Sequence, residues 1–282
     1  MTARLLEGKG AADEALTAVA ARATALRDRG IVPKLVSLSV GSAAEADVYT
    51  RRLSRLGGRA GIEVEARRCD ESVTAEGFGR ILSELNEDDS VDSVVVQMPL
   101  PNHLSWRAVA ETLAPRKDAD GLTVTNSGRL YLDLPGPRPS TAAAMIALLD
   151  YAGVDLAGLH AVIMGRSNVV GHPVAEMALR RHATVTMTHT RTRNLADVTR
   201  QADVLFVGIG RAATVTGDMV KPGAIVVDAG INVTAGGIAG DVDLDSCLPV
   251  AGAITPVPGG VGPLTNVLLL RNVVESAEHR PG

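Results

Sequence analysis

The sequence predicts an α/β protein of two domains, one of them with a doubly wound parallel sheet. Strand-like and helical apolar patterns alternate along almost the whole chain, which is typical of βαβ units. The chain has 282 residues, which exceeds the usual size of one domain. A glycine-rich turn at residues 165–171 separates a strand-like run from a helical run, as in sheets that bind ligands at their strand ends.

Composition and charge exclude several classes of protein. The 28 Lys and Arg residues and 32 Asp and Glu residues give a formal net charge of -4, which does not suit a general nucleic-acid binder. Two cysteines, Cys69 and Cys247, cannot build a disulfide framework or a thiolate metal cage, so no metal is expected. No apolar run reaches the roughly 18 residues of a membrane span. Because the N-terminal segment also lacks a signal-peptide core, we expect a cytoplasmic protein without a membrane partner.

The first half of the chain predicts alternating helices and strands. Apolar residues between Leu16 and Leu26 recur at helical spacing, and Gly30 ends that segment. Strands are predicted over residues 35–40, 62–66 and 94–98, and helices over about 45–59, 78–85 and 106–113. We assign residues 1–138 to a first domain.

The second half begins near Pro139, with Ser140 or Thr141 as candidate N-cap of a helix. Strands are predicted over residues 161–164, 184–188, 204–207 and 224–227. We assign residues 139–263 to a Rossmann-like second domain. The C-terminal helix, about 264–282, is a candidate to pack back on the first domain.

The segment AVIMGRSNVVGHPVAE, residues 161–176, predicts a strand, a glycine turn and a helix. Gly165 and Gly171 flank Arg166 and Ser167, and such a turn lets backbone N–H groups approach a pyrophosphate at the helix N-terminus. The spacing is not G-x-G-x-x-G, so a tight turn in an ordinary α/β domain is the alternative interpretation.

The end of the next strand indicates which dinucleotide would bind. An NAD site usually has an acidic residue here for the ribose 2′-hydroxyl. This chain has THTRTR at residues 188–193, with no acid and with Arg191 and Arg193. Guanidinium groups suit a 2′-phosphate, so NADP is favoured over NAD. The alternative is that both arginines are solvated loop residues.

Several polar residues stand where a simple core would not place them. Gln97 interrupts an apolar run, and a buried amide needs hydrogen-bond partners or a ligand. Asp118 and Asp120 lie in a turn, and residues 256–265 (PVPGGVGPLT) form a loop whose glycines allow close approach of a flat ligand. Taken singly, each feature also fits a structural role as a satisfied core amide, a turn former or a chain break.

Together these segments resemble the methylenetetrahydrofolate dehydrogenase/cyclohydrolase family. The resemblance runs nearly end to end, through the motifs LEGK (6–9), VQMPLP (96–101), KDADG (117–121), NSGRL (126–130), GRSNVVG (165–171), ATVT (183–186), VDAGIN (227–232), GDV (240–242) and ITPVPGGVGPLT (254–265).

The resemblance implies a homodimer whose subunits bind a tetrahydrofolate substrate in a cleft between a catalytic domain and an NAD(P)-binding domain. Members oxidise 5,10-methylenetetrahydrofolate with NAD(P) and hydrolyse the methenyl product to 10-formyltetrahydrofolate. It implies that Tyr49 stacks near the pterin, that Gln97 lines the catalytic centre and that Asp120 binds the pterin. The implied contacts with the folate are Pro258, Gly259 and Gly262, and those with the cofactor are Gly165, Arg166, Ser167, Thr190, Arg191 and Ile231.

One position departs from the family pattern in a way that concerns proton transfer. The family has Tyr-x-x-x-Lys, whereas Leu53 stands four residues after Tyr49. Leucine cannot carry a proton, and losing a general acid or base typically costs about 10²–10⁴-fold in rate. Hydride transfer depends mainly on positioning. We therefore expect the dehydrogenase reaction to persist and the cyclohydrolase reaction to be weak or absent.

Two other interpretations stay open. The enzyme could be fully bifunctional, with an arginine or a water chain in place of the lysine, although guanidinium is a poor base. Alternatively, the chain could be a non-catalytic folate- or nucleotide-binding paralogue, or a relative that acts on a modified one-carbon carrier.

Overall fold

The structure, a computed structural model, describes residues 2–41 and 44–280, except for the side chains at 44 and 45. It divides into two compact units, Met1–Glu14 with Pro139–Thr265, and Ala15–Arg138 with Asn266–Gly282. We call them the six-stranded unit and the three-stranded unit, after their main sheets.

The strands are β1 (Arg4–Leu5), β2 (Lys34–Val40), β3 (Glu63–Cys69), β4 (Ser93–Val96), β5 (His160–Met164), β6 (Thr184–Thr188), β7 (Val204–Val207), β8 (Ile225–Asp228), β9 (Asn232–Thr234), β10 (Gly237–Ala239) and β11 (Ala253–Ile254). The α-helices are α1 (Lys9–Asp28), α2 (Ala44–Ala60), α3 (Ala75–Glu87), α4 (Trp106–Thr112), α5 (Val124–Tyr131), α6 (Ser140–Tyr151), α7 (Gly171–Arg180), α8 (Leu195–Thr199), α9 (Leu244–Cys247) and α10 (Val261–Glu278).

The main sheet of the six-stranded unit is parallel, in the order β1-β11-β8-β7-β5-β6. Its inner strands are continuous apolar runs because helices or loops cover both faces, and Val204–Val207 is buried throughout. The chain order reverses between β5 and β7, since β6 lies on one side of β5 and β7 on the other. Ligands of such sheets bind beyond the carboxyl ends of the strands at this switch point.

The three-stranded unit has a parallel sheet in the order β3-β2-β4. Its apolar core lies between this sheet and helices α3 and α4, and it includes Leu38, Phe78, Leu82 and Val109. Thr74 caps α3 by accepting a hydrogen bond from the Gly77 N–H at 3.0 Å, and Ser105 caps α4. The C-terminal part of α10 also belongs to this unit: Asn272 Nδ2 donates to Ala119 O and Arg138 O.

The N-terminal segment departs from the predicted domain boundary. The sequence assigns residues 1–138 to one domain, but β1 pairs in parallel with β11, so Met1–Glu14 groups with the six-stranded unit. This edge strand has two residues, both exposed. Its backbone hydrogen bonds need no apolar side chains, so no sequence pattern marks it.

The predicted cap of α6 is also wrong. The helix begins at Ser140, and the N-cap position is occupied by Pro139, which makes no side-chain hydrogen bond to the helix. Among the described residues, no helix combines the length and apolar character that a membrane crossing requires.

Candidate active site

Gln97 directly follows β4 and is held by two hydroxyl groups. Its backbone N–H donates to Leu38 O at 2.9 Å, which extends the pairing of β4 with β2. Its side-chain Nε2 lies 2.8 Å from Ser37 Oγ and 2.6 Å from Thr50 Oγ1. The amide nitrogen is therefore satisfied inside the three-stranded unit, by partners on β2 and α2.

Tyr49 and Leu53 lie one turn apart on α2. The Leu53 side chain is fully buried, as the leucine of an amphipathic helix should be. Tyr49 is half-buried, and burial together with the nearby carboxylate of Asp120 raises the pKa of its hydroxyl above the usual range, against an opposing effect of Arg52. At neutral pH the Tyr49 hydroxyl is protonated and can donate a hydrogen bond.

The segment of residues 118–123, which bonds to β4, positions Asp120. Ala119 N donates to Val94 O at 3.1 Å, and Asp118 Oδ2 accepts from Thr123 N at 2.7 Å. Gly121 has φ +66°, and a Cβ there would lie 2.7 Å from Pro137 O, so this turn requires glycine. Asp118 thus has a structural role, and both Asp118 and Asp120 line a pocket.

The lining of that pocket is mostly apolar and includes two carboxylates. Its residues include Val96, Met98, Trp106, Leu122 and Asp120. Neither Tyr49 nor Gln97 is among its lining residues, so this pocket does not by itself gather the predicted catalytic set. A carboxylate in this setting suits a flat heterocycle that presents two parallel N–H groups.

In the six-stranded unit, the predicted cofactor residues follow the carboxyl ends of strands that are in register. Met164 at the end of β5 pairs with Thr188 of β6 and with Val207 of β7, and Val207 pairs with Asp228 of β8. Because parallel strands end at one edge of a sheet, the segments that follow them share that edge. They carry Gly165, Arg166, Ser167, Thr190, Arg191 and Ile231.

The turn after β5 brings two stretches of backbone into close contact. Gly165 has φ +122°, and a Cβ there would collide with Gly208 O. A Cβ at Gly171 would collide with Gly165 O, so both glycines are required. The Ser167 hydroxyl accepts from Val170 N at 3.0 Å and Gly171 N at 3.3 Å, which leaves its proton free to donate. The turn therefore fits a phosphate at the start of α7.

The loop after β6 is a compact turn that exposes basic side chains. Thr192 N donates to His189 O at 2.9 Å, and Arg191 N donates to His189 Nδ1 at 3.1 Å. Thr190, Arg191 and Arg193 are exposed, and Arg166 is exposed after the neighbouring strand. None of these side chains forms an ion pair within the described part of the chain.

A buried carboxylate, Asp241, orders the loop after β7. Its Oδ2 accepts from Ile209 N at 2.6 Å and Gly210 N at 2.9 Å, and its Oδ1 accepts from Arg211 N and Asn232 Nδ2, both at 2.9 Å. The Asn232 bond also fixes the segment that carries the exposed Ile231.

Asp228, the last residue of β8, is a second buried carboxylate. It accepts from Gly230 N at 2.7 Å and Val242 N at 2.9 Å. Burial is the main cause that raises its pKa to about 6, and Asp241 acts in the same direction.

The loop of residues 256–265 packs against the N-terminal motif LEGK. Gly8 N donates to Gly259 O at 2.8 Å, and Gly260 N donates to Pro256 O at 2.7 Å. A Cβ on Gly8 would collide with Gly260 O. The predicted folate residues Pro258, Gly259 and Gly262 thus lie in a loop fixed by backbone contacts within the six-stranded unit.

Comparison with known proteins identifies the family of the chain. Residues 6–120 match the family model of the tetrahydrofolate dehydrogenase/cyclohydrolase catalytic domain, and residues 139–281 match that of its NAD(P)-binding domain. The chain belongs to the tetrahydrofolate dehydrogenase/cyclohydrolase family. It carries both family domains, so the predicted family and two-domain α/β fold are confirmed.

Individual members of the family are similar over their whole length. The bifunctional protein FolD of Herpetosiphon aurantiacus is 44% identical over 280 residues, which cover 99% of this chain and 98% of that protein. The crystal structure of the bifunctional FolD enzyme from Campylobacter jejuni has a TM-score of 0.95 at 38% identity, covering 98% of this chain and 99% of that one. The Trypanosoma brucei enzyme, solved with NADP cofactor and an inhibitor, has a TM-score of 0.92 at 32% identity, with 99% and 98% covered.

Sequence reasoning missed the roles of three residues at these sites. No sequence pattern pairs Ser37 or Thr50 with Gln97, although a serine inside the apolar run of residues 35–40 is a usable signal. Asp241 lies in the motif GDV, but its four donors come from residues about 10 to 30 positions earlier, which sequence spacing does not reveal.

Proposed function

We propose that this family member oxidises 5,10-methylenetetrahydrofolate to the methenyl form with NADP and hydrolyses the product weakly or not at all. One observation carries the proposal. The fully buried side chain at the position where the family pattern has lysine is the aliphatic Leu53.

Residues of the three-stranded unit support folate binding. The carboxylate of Asp120 beside an apolar pocket suits the pterin amidine edge, and the Tyr49 ring lies near enough for Asp120 to affect its hydroxyl. Gln97 completes the predicted catalytic set, and Pro258, Gly259 and Gly262 are proposed to contact the folate from their loop.

Residues of the six-stranded unit support NADP as the cofactor. Gly165 and Gly171 leave room for a pyrophosphate at the start of α7, with Ser167 as a hydroxyl donor. Arg191, with Arg166 on the adjacent strand end, would neutralise a 2′-phosphate, whereas no acidic side chain follows β6 to bind a free ribose hydroxyl. Thr190 follows β6 and Ile231 follows β8, at the same edge of the sheet. Oxidised NADP supplies a hydride acceptor when it is bound.

The weak hydrolysis follows from the protonation states of the two partners of Gln97 and from the Tyr49 and Leu53 side chains on α2. Attack of water on the methenyl carbon needs a group that accepts a proton. The hydroxyls of Ser37 and Thr50 are neutral at pH 7, the Tyr49 hydroxyl is protonated, and Leu53 is inert. Loss of one general base lowers a rate by about 10²–10⁴-fold.

Measuring the two half-reactions separately tests the proposal. Methylenetetrahydrofolate with NADP should produce NADPH absorbance at 340 nm, faster than with NAD. Loss of methenyltetrahydrofolate should barely exceed the buffer rate. Leu53→Lys should raise hydrolysis selectively, and Leu53→Met serves as a control for packing changes without an amine.

Full bifunctionality is the second candidate function, and the name of the relatives, bifunctional protein FolD, favours it. Rapid hydrolysis by the unaltered enzyme would decide for it. Folate binding without NADPH formation would instead indicate a non-catalytic paralogue.

We also infer a homodimer from the family resemblance. Light scattering coupled to size-exclusion chromatography would test it, with twice the 29.2 kDa chain mass expected. The cytoplasmic location stays a prediction.

A further inference from the structure

Gln97, Ser37 and Thr50 form a closed triangle of hydrogen bonds, which we call the Gln97 clamp. Nε2 lies 2.8 Å from Ser37 Oγ and 2.6 Å from Thr50 Oγ1, and the two hydroxyl oxygens are 3.1 Å apart. The three residues come from β2, α2 and the end of β4. Ser37 is 1% exposed, so water cannot easily replace its hydroxyl as a partner of Gln97, whereas Thr50 is partly exposed.

The triangle decides which end of the amide faces the hydroxyls. If the NH₂ group faces them, each of its hydrogens has one hydroxyl acceptor, and one hydroxyl donates to the other. If the carbonyl oxygen faced them, both hydroxyl protons would be used on it. The two hydroxyl oxygens would then meet at 3.1 Å with no proton between them. All three contacts can be hydrogen bonds only if the NH₂ group of Gln97 points toward Ser37 and Thr50.

The carbonyl oxygen consequently points away from the clamp. No hydrogen bond among the described residues uses Gln97 Oε1, and this atom is not among the buried unsatisfied ones. It is thus available to a ligand. A carbonyl oxygen carries partial negative charge, so it stabilises positive charge that develops nearby.

We propose that Ser37 and Thr50 are positioning residues that turn the carbonyl oxygen of Gln97 toward the reacting carbon and thereby assist hydride removal. This role rests on the proposed dehydrogenase function. In that reaction the methylene C–H bond breaks, and its electron pair leaves with the hydrogen to oxidised NADP. A nitrogen lone pair forms the new π bond, which spreads positive charge over the N–C–N group.

Leu53 fits this arrangement. The buried leucine one turn from Tyr49 carries neither a charge nor a proton. The clamp therefore favours the first half-reaction without supplying a base for the second.

Substitutions at Thr50, with a control at Ser54, test the positioning role. Thr50→Val removes one hydroxyl at equal volume, Thr50→Ser keeps it, and Ser54→Ala removes an exposed hydroxyl on the same helix that bonds only Thr50 O. We expect Thr50→Val to lower kcat for NADPH formation about five- to tenfold, the worth of roughly one hydrogen bond. KM for NADP should stay within about twofold. Thr50→Ser should restore kcat, and Ser54→Ala should leave it unchanged.

A spectroscopic measurement tests the orientation without relying on activity. The chain has one other glutamine, the exposed Gln201, so selective ¹⁵N-glutamine labelling gives two side-chain amide signals. The Gln97 amide protons should exchange with solvent more slowly than those of Gln201, and Thr50→Val should remove this protection.

Two results would overturn the clamp: fast exchange of the Gln97 amide in the unaltered enzyme, or equal kcat for Thr50→Val and wild type. If the unaltered enzyme forms no NADPH, the proposed function fails and the positioning role fails with it. Slow exchange in that case would show that the triangle exists but serves no hydride transfer.

Discussion

Asp241→Asn is the most informative single substitution in the six-stranded unit. The Asp241 carboxylate is fully buried and accepts four hydrogen bonds, two on each oxygen, from three backbone N–H groups and Asn232. Asparagine is the same size but has one oxygen and one NH₂ group. Whichever way the amide turns, its NH₂ group faces two donors.

The cost of this substitution can be worked out from those contacts. Two N–H donors lose their acceptor in a buried site, at about 1–3 kcal/mol each, so the loss is about 2–6 kcal/mol. The other two donors exchange a charged acceptor for a neutral one, which adds to the loss. Against a typical unfolding free energy of about 5–15 kcal/mol, the change is large.

Urea unfolding followed by far-UV circular dichroism measures the effect. Tryptophan fluorescence gives a separate signal from the three-stranded unit, because Trp106 is the only tryptophan and lies there. The exposed Asp245 provides the matched control, Asp245→Asn. If Asp241→Asn unfolds within about 0.5 kcal/mol of wild type and of this control, as a typical surface substitution would, the four-bond account is wrong.

Three further predictions concern pH, the cofactor and backbone contacts. Because burial raises the pKa of Asp228 from 3.8 to about 6, the folded state holds a proton that the unfolded state has released, and stability falls as pH rises between these values. Across this pH range, the unfolding free energy of wild type should fall by up to about 3 kcal/mol relative to that of Asp228→Asn in urea titrations. A difference in unfolding free energy that does not change with pH would contradict the raised pKa. Arg191→Ala should raise the Kd for NADP about tenfold or more and leave that for NAD nearly unchanged, as measured by calorimetry; equal effects on both would mean that Arg191 does not bind the 2′-phosphate. Gly171→Ala should lower Tm and weaken NADP binding because its methyl group collides with Gly165 O, whereas Gly58→Ala, which meets nothing within 4 Å, should unfold no more easily than wild type.

The inner strands were predictable because their burial leaves a direct record in the sequence. Strands buried on both faces need continuous apolar residues, and the predicted range 204–207 coincides with β7 while 161–164 lies within β5. The turn at residues 165–171 was equally visible, since only glycine allows the backbone contacts found there. The same patterns located the start of the second domain near Pro139, where the structure also divides.

Short and polar elements left no such record. The edge strand β1 is two exposed residues, so nothing in the sequence separated Met1–Glu14 from the first domain. Pro139 at the N-cap of α6 replaced the expected serine or threonine cap, because the helix begins one residue earlier than a cap there would allow.

Residue patterns were enough to recognise the family, the two α/β domains and the candidate residues, including leucine at position 53. Which polar groups meet depends instead on how the chain folds. Ser37, Thr50 and Gln97 are far apart in the chain and come together because β2 pairs with β4 while α2 packs beside them. Asp241 likewise meets the loop after β7 through the arrangement of strands in its own unit. Such contacts depend on strand order and register, which are set by the packing of the whole sheet and not by local residue pattern.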